Sequence, residues 1–280
     1  MRPGTSARQI IGRHHPLLKR LRAMVRSGSL LDSGENAGEV LLETPNLIED
    51  AIRSGVSITA VLIRADASAV ARGLLTKMAP GVKRYEVEPI LFPELTSTEH
   101  NPGIIALASA PVWKQQDLFA GRLPLILVLA GIQDPGNLGT ILRAAEAFGA
   151  SGVLATKGTV SPFNAKSVRA ASGTLFRLPI VSGLTTPQVV SLLRREKVAL
   201  LSSVARGGKL LAEVEVVKPV ALALGAEGAG LPRDLELAGI PVSIPMARPV
   251  ESLNVAAAAA IFLYEIARQR HAASGQPKGE

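Results

Sequence analysis

Apolar and polar residues follow two different periods along the first hundred residues, and these periods predict a small α/β unit. Leu17, Leu18 and Leu21 recur at helical spacing with Lys and Arg between them. Thr44-Pro45 has the composition of a helix start, because proline suits the first turn of a helix. The pattern predicts helices at 16–24, 45–55 and 67–77, and strands at 38–43, 58–63, 83–87 and 104–108.

After a polar segment, short apolar runs alternate regularly with amphipathic segments. This alternation predicts a parallel sheet with helices on both faces. The predicted strands are 125–130, 152–155, 178–181, 198–202, 220–224 and 242–244. The predicted helices are 137–148, 164–172, 186–196, 232–238 and 253–270. We therefore predict a first domain at 1–110, a linker at 111–122, a second domain at 123–271 and a small, polar, disordered tail at 272–280.

The composition excludes several classes of site. The chain of 280 residues has no cysteine, which excludes disulfides, thiolate metal sites and a cysteine nucleophile. Its four histidines are scattered without ligand spacing, so we expect no metal. The longest apolar stretch, 255–264, is too short to span a bilayer, so we expect no membrane partner. The absence of cysteine fits a reducing compartment, and we expect a cytoplasmic location.

Positive charge is concentrated at the start of the chain. The formal net charge is +8, and seven basic residues precede the first acidic residue, Asp32. This placement indicates a polyanionic partner, because arginine binds phosphate through two parallel hydrogen bonds. A solvated amphipathic helix and a transit peptide are the alternatives. The basic residues are Arg2, Arg8, Arg13, Lys19, Arg20, Arg22 and Arg26.

The segment 131–143 joins a predicted buried strand to a helix. It contains the turn Asp134-Pro135-Gly136, an amide at Asn137 and a guanidinium at Arg143. Open α/β sheets hold ligands where the carboxyl end of a strand meets the amino end of a helix. The sequence also permits plainer functions, in which Asn137 is only a helix cap and Arg143 pairs with Glu146 on the surface.

Two further segments also follow predicted strands. Residues 222–232 form a glycine-rich loop that contains the carboxylate of Glu227, and glycine lets a backbone approach a ligand closely. The order of the glycines, G-x-x-G-x-G, does not match the dinucleotide fingerprint, which argues against an NAD enzyme. Residues 244–260 run from Ile244-Pro-Met246 into an alanine-rich helix that Ser252 or Asn254 caps.

Together, the three segments strongly resemble the SpoU (TrmH-like) branch of the SPOUT RNA methyltransferases. The residues that carry the resemblance are 137–143 (NLGTILR), 224–228 (LGAEG), 244–246 (IPM) and 252–255 (SLNV). The first half is similar to the ribosomal-protein-like RNA-binding domain of that family at 15–19 (HPLLK), 40–43 (VLLE), 47–49 (LIE) and 98–99 (TE). Thr44 and Asn101 depart from the pattern, since relatives usually carry Gly and Gln there.

The resemblance implies an α/β fold whose C-terminal parallel sheet contains a deep trefoil knot. It further implies a homodimer formed through the methyltransferase domain and S-adenosylmethionine as the cofactor. The reaction implied is methyl transfer to a ribose 2′-hydroxyl of RNA, which requires no metal. The residues implied to bind the cofactor are Leu224, Gly225, Ala226, Gly228, Ile244, Met246 and Leu253.

The resemblance also assigns roles to polar residues. It implies a catalytic set of Asn137, Arg143, Glu227, Ser252 and Asn254, and RNA binding by Arg13, Lys19, Arg20, Arg22 and Arg143. The family's counterpart of Arg143 is proposed as the base. Because arginine stays protonated in ordinary sites, we expect it instead to bind phosphate and stabilise the developing alkoxide, and the proton acceptor stays open. We expect large-subunit (23S) ribosomal RNA as the substrate, with a tRNA methyltransferase or a non-catalytic RNA-binding or ribosome-assembly protein as alternatives.

Overall fold

The computed structural model describes residues 9–27, 38–98 and 101–274. Arg2, Arg8, Asp32, Glu99 and the tail residues 275–280, all of which entered the sequence predictions, lie outside these ranges. The helices are α1 Pro16–Ser27, α2 Pro45–Arg53, α3 Ala69–Leu74, α4 Pro135–Ala147, α5 Ala165–Ala171, α6 Thr186–Arg195, α7 Arg233–Ala238 and α8 Val255–Ser274. The strands are β1 Gln9–Ile11, β2 Glu39–Leu42, β3 Ile58–Arg64, β4 Lys83–Val87, β5 Ile104–Ser109, β6 Leu125–Ala130, β7 Gly152–Thr156, β8 Ile180–Leu184, β9 Ala199–Ser203, β10 Lys209–Leu210, β11 Val220–Gly225 and β12 Ile240–Ser243.

The chain forms two compact units. Unit 1 comprises residues 1–112 together with 162–177, and unit 2 comprises 113–161 and 178–280. Unit 1 contains a five-stranded mixed sheet in the order β1-β4-β3-β5-β2. Helix α1 covers this sheet, and its Leu18 and Leu21 are buried with Phe92 and Leu107 in one apolar cluster. The strand β1 was not predicted, because three residues are too few to show an alternating pattern.

The segment 162–177 packs with unit 1 although it follows β7 in the chain. Its main polar anchor is Arg169 of α5, whose guanidinium pairs with the carboxylate of Glu43. Glu43 is only 1% exposed and also accepts hydrogen bonds from the backbone N and the hydroxyl of Ser97. A buried carboxylate requires such partners, since an unpaired charge in the interior is strongly unfavourable.

Unit 2 is built on seven parallel strands in the order β10-β12-β9-β11-β6-β7-β8. This sheet confirms the α/β fold with a parallel sheet that the alternating pattern predicted. The inner strand β6 coincides with the predicted range and is buried at every residue, as expected for a strand covered on both faces. The two-residue strand β10 was missed, and β12 lies at 240–243 rather than 242–244.

The polar segment that was predicted as a linker contains one residue of the core. A short 3₁₀ turn at Gln115–Phe119 buries Leu118 completely, in the apolar cluster of unit 2. Gly152 makes this packing possible, because a Cβ at that position would lie only 2.7 Å from Cγ of Leu118. A single apolar residue has no periodicity, so the sequence pattern could not reveal it.

The last helix continues to Ser274, beyond its predicted end at residue 270. Burial lowers the pKa of Arg270, and its guanidinium donates hydrogen bonds to the carbonyl oxygens of Leu123, Val216 and Lys218. These bonds hold the end of α8 on unit 2 and allow the helix to run past residue 270. Over the ranges that the structure describes, no helix is long and apolar enough to cross a membrane.

Candidate active site in the parallel-sheet unit

The segments after β6, β11 and β12 meet at one end of the parallel sheet. Their approach begins in the sheet itself, where Gly225, the last residue of β11, lies in register with Ala130, the last residue of β6. Asp134 caps the start of helix α4, because its carboxylate accepts a hydrogen bond of 2.7 Å from the backbone N of Asn137. Asp134, and not Asn137, is therefore the cap, which leaves the side chain of Asn137 available for other contacts.

Asn137, Glu227 and Asn254 form a closed hydrogen-bond network. The Nδ2 atom of Asn254 donates to Oε1 of Glu227 at 2.7 Å and to Oδ1 of Asn137 at 3.1 Å. The Nδ2 atom of Asn137 donates to the same Oε1 of Glu227 at 3.1 Å. The structure thus brings together three of the five residues predicted as catalytic, one from each of the three segments.

Asn254 has a second role in the local fold. Its Oδ1 atom accepts hydrogen bonds from the backbone N of Ala256 at 3.0 Å and of Ala257 at 3.2 Å. Asn254 is therefore the residue that caps α8, and Ser252 is not. The Oδ1 atom of Asn254 thus belongs to the helix cap and its Nδ2 atom to the network. The start of α8 therefore fixes the position of the donor group.

The glycine-rich loop after β11 turns very tightly. Ala226 and Gly230 form a β-bridge, and a Cβ at Gly225 would lie 2.2 Å from the backbone carbon and oxygen of Gly230. Gly228 and Gly230 have positive φ angles of 83° and 69°, which residues with side chains rarely adopt. The sequence predicted that these glycines let a ligand approach the backbone. In the structure they let two parts of the loop backbone approach each other.

A cavity of about 690 Å³ opens beside this network. Its volume lies within the range of small-molecule sites, roughly 300–1,000 Å³. Its walls include all seven residues predicted to bind the cofactor, together with Glu227, Ser252 and Asn254 from the predicted catalytic set. Those seven residues are Leu224, Gly225, Ala226, Gly228, Ile244, Met246 and Leu253.

The sequence reasoning missed part of this cavity. Residues 203–205, which are the last residue of β9 and the two after it, line the cavity, as do Glu251 and Phe262. The end of β9 could have been suspected, since it lies beside β11 in the parallel sheet and its carboxyl end meets the same edge. The sequence did not indicate that Phe262 lines the cavity, because an apolar residue on a helix is predicted to lie in the hydrophobic core.

The charges around the cavity suit a cationic ligand. Among the residues that line it, the charged side chains are the carboxylates of Glu227 and Glu251. The remaining walls include apolar side chains such as Leu224 and Leu253 and the closely packed backbone of the glycine loop. S-adenosylmethionine, with a positive sulfonium and an adenine ring whose faces can pack on apolar side chains, fits this combination. In the described part of the chain, no group of three or more His, Asp or Glu residues is placed to hold a metal.

Arg143 does not belong to the network or to the walls of the cavity. It lies six residues after Asn137 on α4, which is about 9 Å along the helix axis. Its side chain is exposed and makes no hydrogen bond or ion pair with the residues that the structure describes, so the alternative pair with Glu146 does not form. The guanidinium is therefore free to meet a ligand from solvent.

The basic residues at the start of the chain are partly neutralised within unit 1. Arg22 donates to Glu94 at 2.7 Å, and Arg13 donates to the same carboxylate at 3.3 Å. Arg20 pairs with Glu39 and is largely buried. Lys19 is exposed and forms no ion pair within the described ranges. The count of charges along the chain could not reveal these pairs, because both acidic partners come later in the sequence.

Comparison with known proteins identifies the same family that the sequence motifs resemble. The SpoU rRNA Methylase family model matches residues 124–264. A protein named as an uncharacterised tRNA/rRNA methyltransferase of Synechocystis is 34% identical over 95% of both chains. The 23S rRNA (guanosine(2553)-2′-O)-methyltransferase RlmP of Bacillus subtilis is 33% identical over 81% of this chain and 87% of its own length.

Solved structures also match over most of the chain. The SpoU methyltransferase AviRb from Streptomyces viridochromogenes, solved with its cofactor AdoMet, superposes with a TM-score of 0.82. That match covers 94% of this chain and all of the other, at 27% sequence identity. The family model spans half of this chain and the Synechocystis relative nearly all of it, so the chain belongs to the SpoU rRNA methylase family.

Proposed function

We propose that this protein transfers the methyl group of S-adenosylmethionine to a ribose 2′-hydroxyl of RNA, and that its substrate is large-subunit ribosomal RNA. The observation that carries the proposal is the network of Asn137, Glu227 and Asn254 beside a cavity whose charged lining residues are two carboxylates. The name of the Bacillus relative, a 23S rRNA 2′-O-methyltransferase, supports the choice of substrate.

The backbone around Gly225, Ile244, Met246 and Leu253 would hold the cofactor, with the two carboxylates favouring its positive charge. When bound, S-adenosylmethionine supplies a methyl group on a positively charged sulfur that is already activated for transfer. The enzyme's main task is then alignment of the acceptor oxygen, which is a positioning effect of several kcal/mol. The tightly turned glycine loop and the capped start of α8 provide walls for that alignment.

The polar residues would act on the acceptor nucleotide. Asn137 and Asn254 are held by Glu227 and would orient the ribose, and Ser252 would complete the wall of the site. Arg143 would bind the phosphate next to the target ribose and stabilise negative charge that develops on its oxygen. Its exposure and lack of partners support this role, because no contact within the protein has to be broken first.

Unit 1 would contribute RNA binding. In this proposal residues 1–110 form a ribosomal-protein-like RNA-binding domain and residues 123–271 the methyltransferase domain, although the segment 162–177 within the second range packs with unit 1. The exposed cations Lys19 and Arg26 support it, whereas Arg20 is already paired and would contribute less. We also propose a cytoplasmic location, which the bacterial 23S rRNA methyltransferase among the relatives supports.

We further propose the trefoil knot and the homodimer. The knot is supported by the segment after β12, which lines the same cavity as the glycine loop and leads into α8, a helix that packs on α4. The homodimer is supported by α8, which leaves Ile261 and Tyr264 44% and 57% exposed. Light scattering of the purified protein would measure its mass, and a monomer at micromolar concentration would contradict the dimer.

The decisive experiment supplies the purified protein with S-adenosylmethionine carrying a labelled methyl group, together with unmethylated 23S rRNA, 16S rRNA or tRNA. Label in an alkali-resistant dinucleotide of 23S rRNA is expected, because a 2′-O-methyl group blocks cleavage of the adjacent phosphodiester. Label in tRNA alone would overturn the choice of substrate. Tight RNA binding without any label would identify a non-catalytic RNA-binding protein.

A further inference from the structure

A second cavity, of about 790 Å³, lies in unit 1 and has no part in the site described above. It opens where the strands β3 and β4 begin and β5 ends, with α1 as one wall. Its rim is in contact with solvent, since Lys83 is exposed and Val112 is 90% exposed. The cavity is therefore an open cleft and not a packing defect inside the core.

The floor of the cleft is polar and fixed. Glu39 is only 9% exposed, and it accepts a hydrogen bond of 2.6 Å from the hydroxyl of Thr59 and an ion-paired hydrogen bond from Arg20. Covering this floor with an apolar group would remove a charged pair from water without replacing its remaining hydrogen bonds, which is unfavourable. The occupant must therefore have polar groups on the side that faces Glu39 and Arg20.

The walls combine one aromatic ring with one uncommitted cation. Tyr85 is half-buried on β4, with its ring 5.6 Å from that of His15 between ring centres, and its hydroxyl has no hydrogen bond within the described ranges. Lys83 lies two residues earlier on the same strand, so both side chains leave the same face of the sheet. Because Arg20 and Glu39 neutralise each other, Lys83 leaves the cleft with a net charge of about +1 by simple counting.

An aromatic ring beside a cation, above a polar floor, is the arrangement that proteins use for unpaired nucleotides. The base stacks on the ring, the phosphate meets the ammonium group, and polar groups meet the edge of the base. We propose that this cleft binds one unpaired ribonucleotide of the RNA substrate, with its base against Tyr85 and its phosphate at Lys83. The inference rests on the proposed function, since it presumes an RNA substrate.

The test measures binding of a short, fluorescently labelled single-stranded RNA to the full-length protein at several salt concentrations. Tyr85→Ala is expected to weaken binding about tenfold through lost stacking, with the salt dependence unchanged. Lys83→Met is expected to reduce the slope of log affinity against log salt by about 0.7, the value for one phosphate contact on a single strand. The matched controls Tyr85→Phe and Lys83→Arg should both retain wild-type binding.

The outcomes separate this inference from the alternatives. Unchanged affinity and salt slope in both Tyr85→Ala and Lys83→Met would overturn it. If the two variants weakened binding of adenosine monophosphate but not of the RNA, the cleft would be a site for free nucleotides, and the assignment to RNA would be wrong. Circular dichroism checks that Tyr85→Ala is folded. If it is not, the result of Lys83→Met decides, because Lys83 is exposed and its replacement should leave the fold intact.

Failure of the proposed function would look different. In that case the wild-type protein would transfer no methyl group to 23S rRNA or would bind no S-adenosylmethionine in calorimetry. The affinity for S-adenosylmethionine should be the same in the wild type and in both cleft variants, because Tyr85 and Lys83 do not line the cavity of unit 2.

Discussion

The carboxylate of Glu227 accepts a hydrogen bond of 2.7 Å from the side-chain amide of Asn254, and this contact joins the glycine loop after β11 to the first turn of α8. The same oxygen atom also accepts from Asn137 and, at 3.4 Å, from the backbone N of Val255. One carboxylate oxygen thus links three segments that are distant in the chain through hydrogen bonds. Its acceptor character holds the two amides in place.

Replacing Glu227 with Gln should therefore reduce methyl transfer about a hundredfold, because small misplacements of positioning groups have effects of this size. Gln places an amide NH₂ or a weaker acceptor where Asn137 and Asn254 both donate. Single-turnover transfer to 23S rRNA measures the loss. The exposed Glu213, which lies outside the cavity, provides the control Glu213→Gln. Equal transfer rates in Glu227→Gln and Glu213→Gln would show that Glu227 has no role in methyl transfer.

Arg143→Ala should abolish methyl transfer while the fold and the affinity for S-adenosylmethionine stay at wild-type levels. The side chain makes no hydrogen bond or ion pair with the residues that the structure describes, so its removal breaks no contact there. Transfer assays, thermal unfolding and calorimetry together check this expectation. Arg122→Ala removes another exposed arginine of unit 2 as a control. Retained turnover in Arg143→Ala would exclude it from the mechanism.

The two roles of Asn254 can be separated by substitution. Asn254→Ala removes both the cap of α8 and the donor to Glu227, so it should lower stability by about 1 kcal/mol and also abolish transfer. Asn254→Ser retains a capping oxygen but is too short to replace the amide donor, so stability should recover while activity does not. Urea unfolding gives the free energies. Recovery of activity in the Ser variant would show that only the cap matters.

Lys197 offers a test of stability away from the site. It follows α6 with a positive φ of 55°, in the left-handed region that side chains disfavour. Lys197→Gly should raise the free energy of unfolding by about 0.5–1 kcal/mol with activity unchanged. Lys197→Ala retains the Cβ and should give no such gain, so an equal effect of both variants would point to the lysine's charge instead of its backbone.

Much of unit 2 could be predicted from the sequence because its signals are local and repeated. Apolar runs such as β6 mark buried strands, and the segments after β6, β11 and β12 carry their polar residues at the strand ends. Parallel strands bring those ends to one edge, so the meeting of Asn137, Glu227 and Asn254 followed from topology.

What the sequence could not reveal depends on contacts between distant residues. The choice of Asp134 as the cap of α4 freed Asn137, and both residues are good caps by type. Likewise, Arg20 has the composition of a phosphate ligand, yet it pairs with Glu39, which lies nineteen residues later. Such partners are decided by packing in three dimensions and leave no periodic trace in the chain.

The packing of α5 with unit 1 has a practical consequence for anyone who wants to study the two halves separately. A fragment that stops at residue 112 would lack Arg169, and the carboxylate of Glu43 would lose its only cationic neighbour among the residues that the structure describes. The fragment would also expose the surface of β2 that α5 covers, and for these two reasons it is expected to be less stable than the intact unit. Dissection of the halves should therefore add a peptide spanning 162–177 to the truncated protein, or graft this stretch onto its end.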